Sequence, residues 1–354
     1  MWASDATNWE FIPYYTDQAQ TQQLTLNISF LHQAEDNMLY IGTGEGMLAE
    51  SEDLIIPKGK GIFQYNPETE VFTLLNGSAQ MEYVNTIKSF YRNDQLFIYA
   101  GTNDGLYRWT KNGEQWSAPQ TVFTEGPVQD IEVVSGDNMV FFTSGARLYK
   151  VSTANAATAT YTDITSTCSD FGGDNLRIEL AAAKSDKTYL YAMVTSKSGG
   201  LKGVYLTTNQ NQWTRLTTST INPFSSSKNG LHASSIVVDP TNHKRIIMGG
   251  ASVWIGQGYS ENTYYQWTQV SNNEEVLNYG NFMEQVSSNP AYVHGGIHQI
   301  TPACQITDGD TNWAYFFATD GGIFKTVNNF ASFTPNNKGF NTVQYNSIAI
   351  APDG

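Results

Sequence analysis

Basic residues are scarce in this chain: 19 Lys and Arg stand against 33 Asp and Glu, a formal net charge of −14 at pH 7. Such a surface repels phosphate backbones and anionic headgroups, which argues against nucleic acid and against binding to acidic membranes. Long apolar runs are missing too. None approaches the ~18 residues needed to cross a bilayer, so no direct membrane insertion is expected. Cysteine is nearly absent. Cys168 and Cys304 are too few for a disulfide framework and lack C-x-x-C spacing, which excludes a zinc or redox motif of that kind; whether they pair with each other stays open. The opening "MWASDATNWEF" has neither a basic n-region nor an apolar h-region, so no signal peptide stands in this chain. We expect either an intracellular protein or a mature or truncated segment of an exported one.

What is plentiful is Tyr, Phe, Trp, Thr, Ser, Asn and Gly, with charged residues at only 15%. That is the composition of strands and polar turns, not of helices. At 354 residues the chain is long for an average domain but ordinary for one closed β architecture. No 3.6-residue period persists, and the strand-type runs repeat. The repeated unit is a hairpin whose first strand ends in a small residue, followed by a glycine turn and an apolar-aromatic start. Its copies are "MLYIGTGEG" with "GIFQYN" at 38–66, "LFIYAGTNDGLYRWT" at 96–110, "MVFFTSGARLYKVS" at 139–152, "TYLYAMVTSKSGGLKGVYLTT" at 188–208, "RIIMGGASVWIG" at 245–256 and "AYFFATDGGIFKT" at 314–326. Glycine suits these turns because they need positive φ.

Another apolar run precedes each hairpin, from "LTLNISFL" and "VNTIKSFY" to "SSIVVD" and "IHQIT", and a fourth strand follows it. Four strands per unit, called a to d from the axis outward, cannot bury both sheet faces alone. Radial packing of blades can, and it leaves only short edges. The sequence therefore predicts an all-β fold, a β-propeller of four-stranded blades: six complete blades plus a split one, in a ring of seven or eight, with a ring closed by the six alone as second choice. The split blade would combine "NWEFIP", read as a strand d, with "VQYNSIAIAPDG", read as a strand a. We expect residues 1–354 to be one propeller domain, truncated at its C-terminus.

The turns between strands c and d share a spacing. Thr326-x-Asn328-x-Phe330-x-Ser332-Phe333 matches Ser260-x-Asn262-x-Tyr264-x-Gln266-Trp267. One residue shorter are Thr110-x-Asn112 with Trp116, and Thr207-x-Asn209 with Trp213; Asp5 with Trp9 has that spacing as well. A short amide or carboxylate accepts from nearby backbone N–H groups and fixes the turn, while the aromatic packs between blades. On these turns, and best in "SSIVVDPTNHKRIIMGG" and "FFATDGGIFKTVNNFASFTP", the chain resembles the Asp-box (BNR) propellers, and is similar to their sortilin-type and xyloglucanase-type branch. It departs from them in carrying Asn for Asp at most boxes and Phe330 or Tyr264 at the glycine position. The resemblance implies that the boxes are structural and lie on the face opposite any active site.

Function is expected on the other face, which carries the b–c turns and d–a connections. Its long loops are 44–61 with Glu45, Glu50, Glu52 and Asp53; 166–175 with Asp170 and Asp174; 219–232 with Phe224; and 271–296 with Tyr279, Phe282, Tyr292 and His294. Acids beside aromatics suit sugar or peptide ligands, and we take Glu45, Asp170, Tyr279, Phe282, Tyr292 and His294 as ligand-binding candidates; as solvated loops with rings folded back they would bind nothing. A glycosidase needs two carboxylates ~5–10 Å apart. Asp104, Asp320 and Asp174 are the candidates, although Asp in "GTNDG" or "TDGG" also serves turn geometry. No arginine triad of the sialidase kind is present. His294 and His298 would lie ~13 Å apart on a strand, too far to share a metal. Asp308-x-Asp310-x-Asn312 has the alternating oxygens that open calcium loops but lacks the Gly-x5-Glu continuation; an ordinary a–b hairpin turn is the plainer reading, with calcium as the alternative. No other cofactor is expected.

These features point to a secreted or cell-surface propeller that binds a protein or glycan partner on its loop face. The alternative is a glycoside hydrolase acting on a β-glucan or xyloglucan-type polysaccharide; an assembly factor rests on fold alone.

Overall fold

The computed structural model describes residues 2–4, 9–11, 27–46, 58–134, 139–152, 158–224, 229–259, 264–271, 289–307 and 310–338. Among the described residues there is no α-helix. Six four-stranded antiparallel blades follow one another at 28–74, 84–123, 130–163, 175–215, 235–269 and 297–335, in a propeller arrangement. Blade 2 carries one addition, Gln120–Phe123, which pairs with the third strand alongside the short outer strand Gln115–Trp116. Each inner strand pairs only with the second strand of its own blade, and consecutive inner strands lie against one another from blade 1 to blade 6. Of the expected split blade, Trp9–Phe11 is a strand, but its partner is Trp2–Ser4 in a separate two-stranded sheet. The run 343–354 lies outside the described residues.

Burial explains the hydrophobic pattern. Middle strands such as Leu190–Ser196 are buried on both faces, so they read as apolar runs and not as alternation. Outer strands such as Val71–Leu74 and Thr160–Asp163 are mostly exposed and read as polar. The core is divided among the seams. Tyr40 and Ile62 meet Ile87 and Trp109 between blades 1 and 2, and Phe90 and Tyr99 meet Ile131 and Phe142 between blades 2 and 3. Phe141 meets Ile178 and Tyr205 next, then Tyr191 meets Ile246, and Ile247 meets Phe317. A sixth cluster, Ile41, Phe63 and Tyr65 with Ile28, Leu39 and Phe72, is built by blade 1 alone on its face away from blade 2. Among the described residues the six blades therefore share no core between blade 6 and blade 1.

An inner strand has a free edge, and its unpaired N–H and C=O groups need partners. Side chains of neighbouring blades supply them at each of the five seams. Ser89 N–H donates to His32 Nε2 at 3.1 Å, Leu180 N–H to Asp130 Oδ2 at 2.6 Å, and Ile300 N–H to Ser235 Oγ at 3.0 Å. In the opposite sense, Ser29 Oγ donates to the Val84 carbonyl at 2.5 Å, Asn85 Nδ2 to Val128 at 3.0 Å, and an Arg177 guanidinium N–H to Leu231 at 3.0 Å. Ser29, Asn85 and His298 are each the residue skipped by a register shift near the start of an inner strand. A β-bulge turns its extra side chain out of the sheet pattern, here toward the adjacent blade.

His32 is the latch most sensitive to pH. It must accept from Ser89 N–H, so Nε2 has to be unprotonated; burial, helped by the nearby Lys88 charge, pushes the ring from 6.5 down to about 3. The unfolded chain therefore binds this proton first. The contribution is complete above pH 6.5 and disappears as pH falls toward 3, on the order of 4 kcal/mol over that window. Urea midpoints measured across that range should fall steeply for the wild type and flatten in His32→Gln.

Candidate functional site: the channel and its mouth

The start of every inner strand and every b–c turn lie on one face, around the mouth of the central channel. The three carboxylates singled out for catalysis are spread over that face. Asp104 is an exposed turn residue of blade 2 whose N–H donates to Thr102 Oγ1 at 3.1 Å. Asp174, on the connection into blade 4, is 92% exposed and lies 3.6 Å from Lys197. Asp320, in the b–c turn of blade 6, meets His298 at 2.6 Å. They belong to blades 2, 4 and 6, and among the described residues no hydrogen bond or ion pair joins any two of them.

The ligand candidates also separate. Glu45 is exposed beside Gly44. Asp170 is turned toward the ring, accepting from Tyr205 OH at 2.9 Å with Lys202 3.5 Å away. Tyr292 is only 5% exposed and sits edge-on to Phe324 in the core between blades 5 and 6; Phe224 is fully buried. Neither ring is available to stack on a ligand, because the apolar seams of the ring take them up. Tyr279 and Phe282 lie outside the described residues, as do Glu50, Glu52, Asp53 and Asp308. Asp310 opens the strand Asp310–Thr319, and Asn312 on it is exposed opposite Gln305. Among the described residues no three His, Cys, Asp or Glu side chains are grouped to hold a metal. Cys168 is buried and Cys304 exposed, both as free thiols.

The turn residues lie on the opposite face. Asn209 Oδ1 accepts from Asn211 and Gln212 N–H, each at 3.0 Å, and Asn328 Oδ1 accepts from Ser332 N–H at 3.0 Å while Thr326 Oγ1 donates to it at 3.2 Å. Asn112 behaves differently and accepts from Gln95 Nε2 across the hairpin. The aromatics pack against the preceding blade: Trp116 donates to Gln64, Trp213 to Thr167, Trp267 to the Leu216 carbonyl, and Phe333 lies in the core of blades 5 and 6. Phe330 sits at φ 67°, a conformation that favours glycine, and is held there by burial and by the Arg245 guanidinium over its ring. Asp5, Ser260 and Asn262 lie outside the described residues, and of Trp9 only the backbone is described.

Sequence reasoning missed the charge cluster inside the channel. Lys88 of blade 2 pairs with Glu132 of blade 3 at 2.9 Å. Arg177 and Glu179 of blade 4 pair with each other, and Asp130 of blade 3 takes backbone N–H bonds from Ile131 at 2.8 Å and Leu180 at 2.6 Å. Burial and the neighbouring Glu179 charge push the Asp130 carboxyl well above the ordinary range, partly offset by Lys88. Glu179 is raised by burial against the pull of Arg177. For Lys88 burial works downward, but Glu132 and Asp130 outweigh it and the amine rises. The signal available in the sequence was only that charged residues stand in apolar inner strands, "TIKSF", "DIEV" and "RIEL". Three acids and two bases in one narrow space hold blades 2, 3 and 4 together. Lys88→Met should cost about 3 kcal/mol at neutral pH by leaving buried carboxylates unpaired, and less in mild acid, where the raised Asp130 and Glu179 carboxyls take up protons; denaturation at both pH values measures it.

The other cluster at the mouth joins blades 5 and 6. His298 Nε2 faces Asp320 Oδ1, and its Nδ1 faces the His232 carbonyl at 3.2 Å. A carbonyl can only accept, and an ionised carboxylate does the same, so both contacts are hydrogen bonds when each ring nitrogen carries a proton. His294 Nδ1 faces the Gly295 carbonyl at 2.8 Å.

No protein-family model matches the chain, and no curated protein matches it. Among solved structures it is similar to the GH74 xyloglucanase from Xanthomonas campestris, at TM-score 0.55 and 12% identity over 95% of this chain and 52% of that one. The chain thus spans about half the length of that enzyme. It is similar also to virginiamycin B lyase from Staphylococcus aureus, at TM-score 0.53 and 11% identity over 89% and 87% of the two chains, and to a chain of the COPII outer coat vertex on membranes, at TM-score 0.52 and 12% identity over 87% and 74%. An enzyme of one kind, an enzyme of another and a coat component share this architecture, so what the comparisons establish is the β-propeller fold.

Proposed function

We propose that this chain is a binding propeller, secreted or displayed at a cell surface, that takes a protein or glycan partner on the face carrying the b–c turns. The observation that carries this reading is the mouth of the channel. Side chains there are held in place, as His298 is by Asp320 of its own blade and by the His232 carbonyl ahead of blade 5, in a half-exposed position, while the carboxylates a glycosidase would need stand on alternate blades. Preorganised polar groups on a rigid ring suit recognition. The kinship we propose is to the Asp-box propellers of the sortilin and xyloglucanase kind, supported by the turn bonding of Asn209 and Asn328. The reading requires no cofactor, with calcium at Asp308, Asp310 and Asn312 as the one candidate.

The second reading, cleavage of a xyloglucan-type polysaccharide, draws on the likeness to the xyloglucanase. Reducing-sugar release separates the two. We expect none from xyloglucan or mixed-linkage β-glucan, together with saturable binding of a glycan or a purified partner protein that weakens at least about tenfold in His298→Ala. Release that vanishes in Asp104→Asn or Asp320→Asn would establish the enzyme instead.

A further inference from the structure

Inside the channel each base is taken by one acid, and one acid is left over. Lys88 of blade 2 meets Glu132 of blade 3 at 2.9 Å, and the Arg177 guanidinium meets Glu179 beside it on blade 4. Asp130 of blade 3 forms no ion pair among the described residues. Its hydrogen-bond donors are two backbone N–H groups, Ile131 at 2.8 Å and Leu180 at 2.6 Å. Of the three side chains that accept an inner-strand N–H across a seam, His32 and Ser235 do so as neutral groups, and only Asp130 is an acid.

The excess charge sits on one seam. Leu180 directly follows Glu179, so the bond that joins blade 3 to blade 4 also brings two carboxyls together. Lys88 faces Asp130 from blade 2, Glu132 from its own strand, and Arg177 and Glu179 from blade 4. Thr143, its cross-strand partner in the second strand of blade 3, is uncharged and fully buried. Arg177 is already engaged by Glu179 and by the Leu231 carbonyl. A carboxylate without a counter-charge, drawn away from water, favours its protonated form. Accordingly, burial and the Glu179 charge hold the Asp130 carboxyl well above the ordinary carboxylate range, with Lys88 offsetting only part, and burial raises Glu179 against the pull of Arg177.

We propose that Asp130 and Glu179 form a proton-operated latch between blades 3 and 4. One proton shared by the two carboxyls completes the charge balance and closes the seam; its loss in alkali leaves two like charges across the seam and loosens it. The latch does not depend on what the propeller binds. A carboxyl held above its ordinary range contributes stability that is complete below that range and disappears as pH rises through its folded-state value. This is opposite to His32, whose contribution disappears in acid. The ring is therefore tightest between the two titrations.

Urea unfolding of the wild type and Glu179→Gln, from about pH 5 to about pH 9, tests this. The substitution removes the acid paired with Arg177, yet it leaves Asp130 and Glu132 against Lys88 and Arg177, so the excess charge is gone. An amide oxygen remains for Arg177 to donate to, and His32 titrates alike in both proteins. While the proton is being lost, the wild type should weaken relative to the variant by about tenfold in unfolding constant per pH unit, until Glu179→Gln is the more stable protein. Asp130→Asn, which keeps one acceptor oxygen and also balances the charges, should likewise lose the alkaline fall. Amide exchange, corrected for its intrinsic pH dependence, locates the effect. Over the same range Leu180 should lose at least about tenfold more protection than Ile300, whose acceptor is the neutral Ser235 hydroxyl. A difference between wild type and Glu179→Gln that stays flat with pH would overturn the latch. So would a variant that is the less stable protein throughout, or equal losses of protection at Leu180 and Ile300.

Discussion

Every blade of this propeller presents its inner strand to the channel as an unpaired edge, and the structure depends on how those edges are satisfied. A hydrogen bond inside a folded protein contributes only about 1 kcal/mol net, whereas a buried donor left without a partner costs about 1–3 kcal/mol. Side chains crossing each seam remove that cost: His32 for Ser89, Asp130 for Leu180 and Ser235 for Ile300 accept from N–H groups, and Ser29, Asn85 and Arg177 donate to carbonyls. The same bonds fix the angle between blades. The apolar seam clusters supply most of the driving force, but they are nondirectional, and it is the latches that set each blade in register with the next.

On the proposed function, stability and recognition would meet at the same positions. A bulge near the start of an inner strand turns one polar side chain toward the adjacent blade, and those side chains ring the mouth of the channel. His298 is at once a bulged residue, a bridge to the His232 carbonyl and the partner of Asp320. Deeper in the channel, Lys88, Asp130, Glu132, Arg177 and Glu179 join blades 2, 3 and 4 through charge.

Much of the architecture was legible in the sequence because it follows from local patterns. The six hairpins and their preceding inner strands are where composition and periodicity put them, as are the turns at Asn209 and Asn328, and strand burial on both faces explains the apolar runs. The site was far less legible. Asn112 and Asn209 share one spacing, yet one bonds across a hairpin and the other closes its turn, since the choice depends on what Gln95 presents. Tyr292 reads as an exposed loop aromatic and is buried against Phe324, because the capacity of a seam to absorb a ring is a tertiary property. The seam bonds made by Ser29, Asn85 and His298, and the gathering of charged side chains from three blades, depend on contacts more than forty residues apart. No local window contains them.

Amide hydrogen exchange of Ser89, Leu180 and Ile300 tests the edge latches most directly. These three N–H groups lie on the free edges of inner strands and are bonded only to side chains of another blade. The account predicts that they exchange as slowly as the core amides of the second strands, and that Asp130→Ala selectively accelerates Leu180. Fast exchange at all three in the wild type, with the second strands still protected, would contradict it.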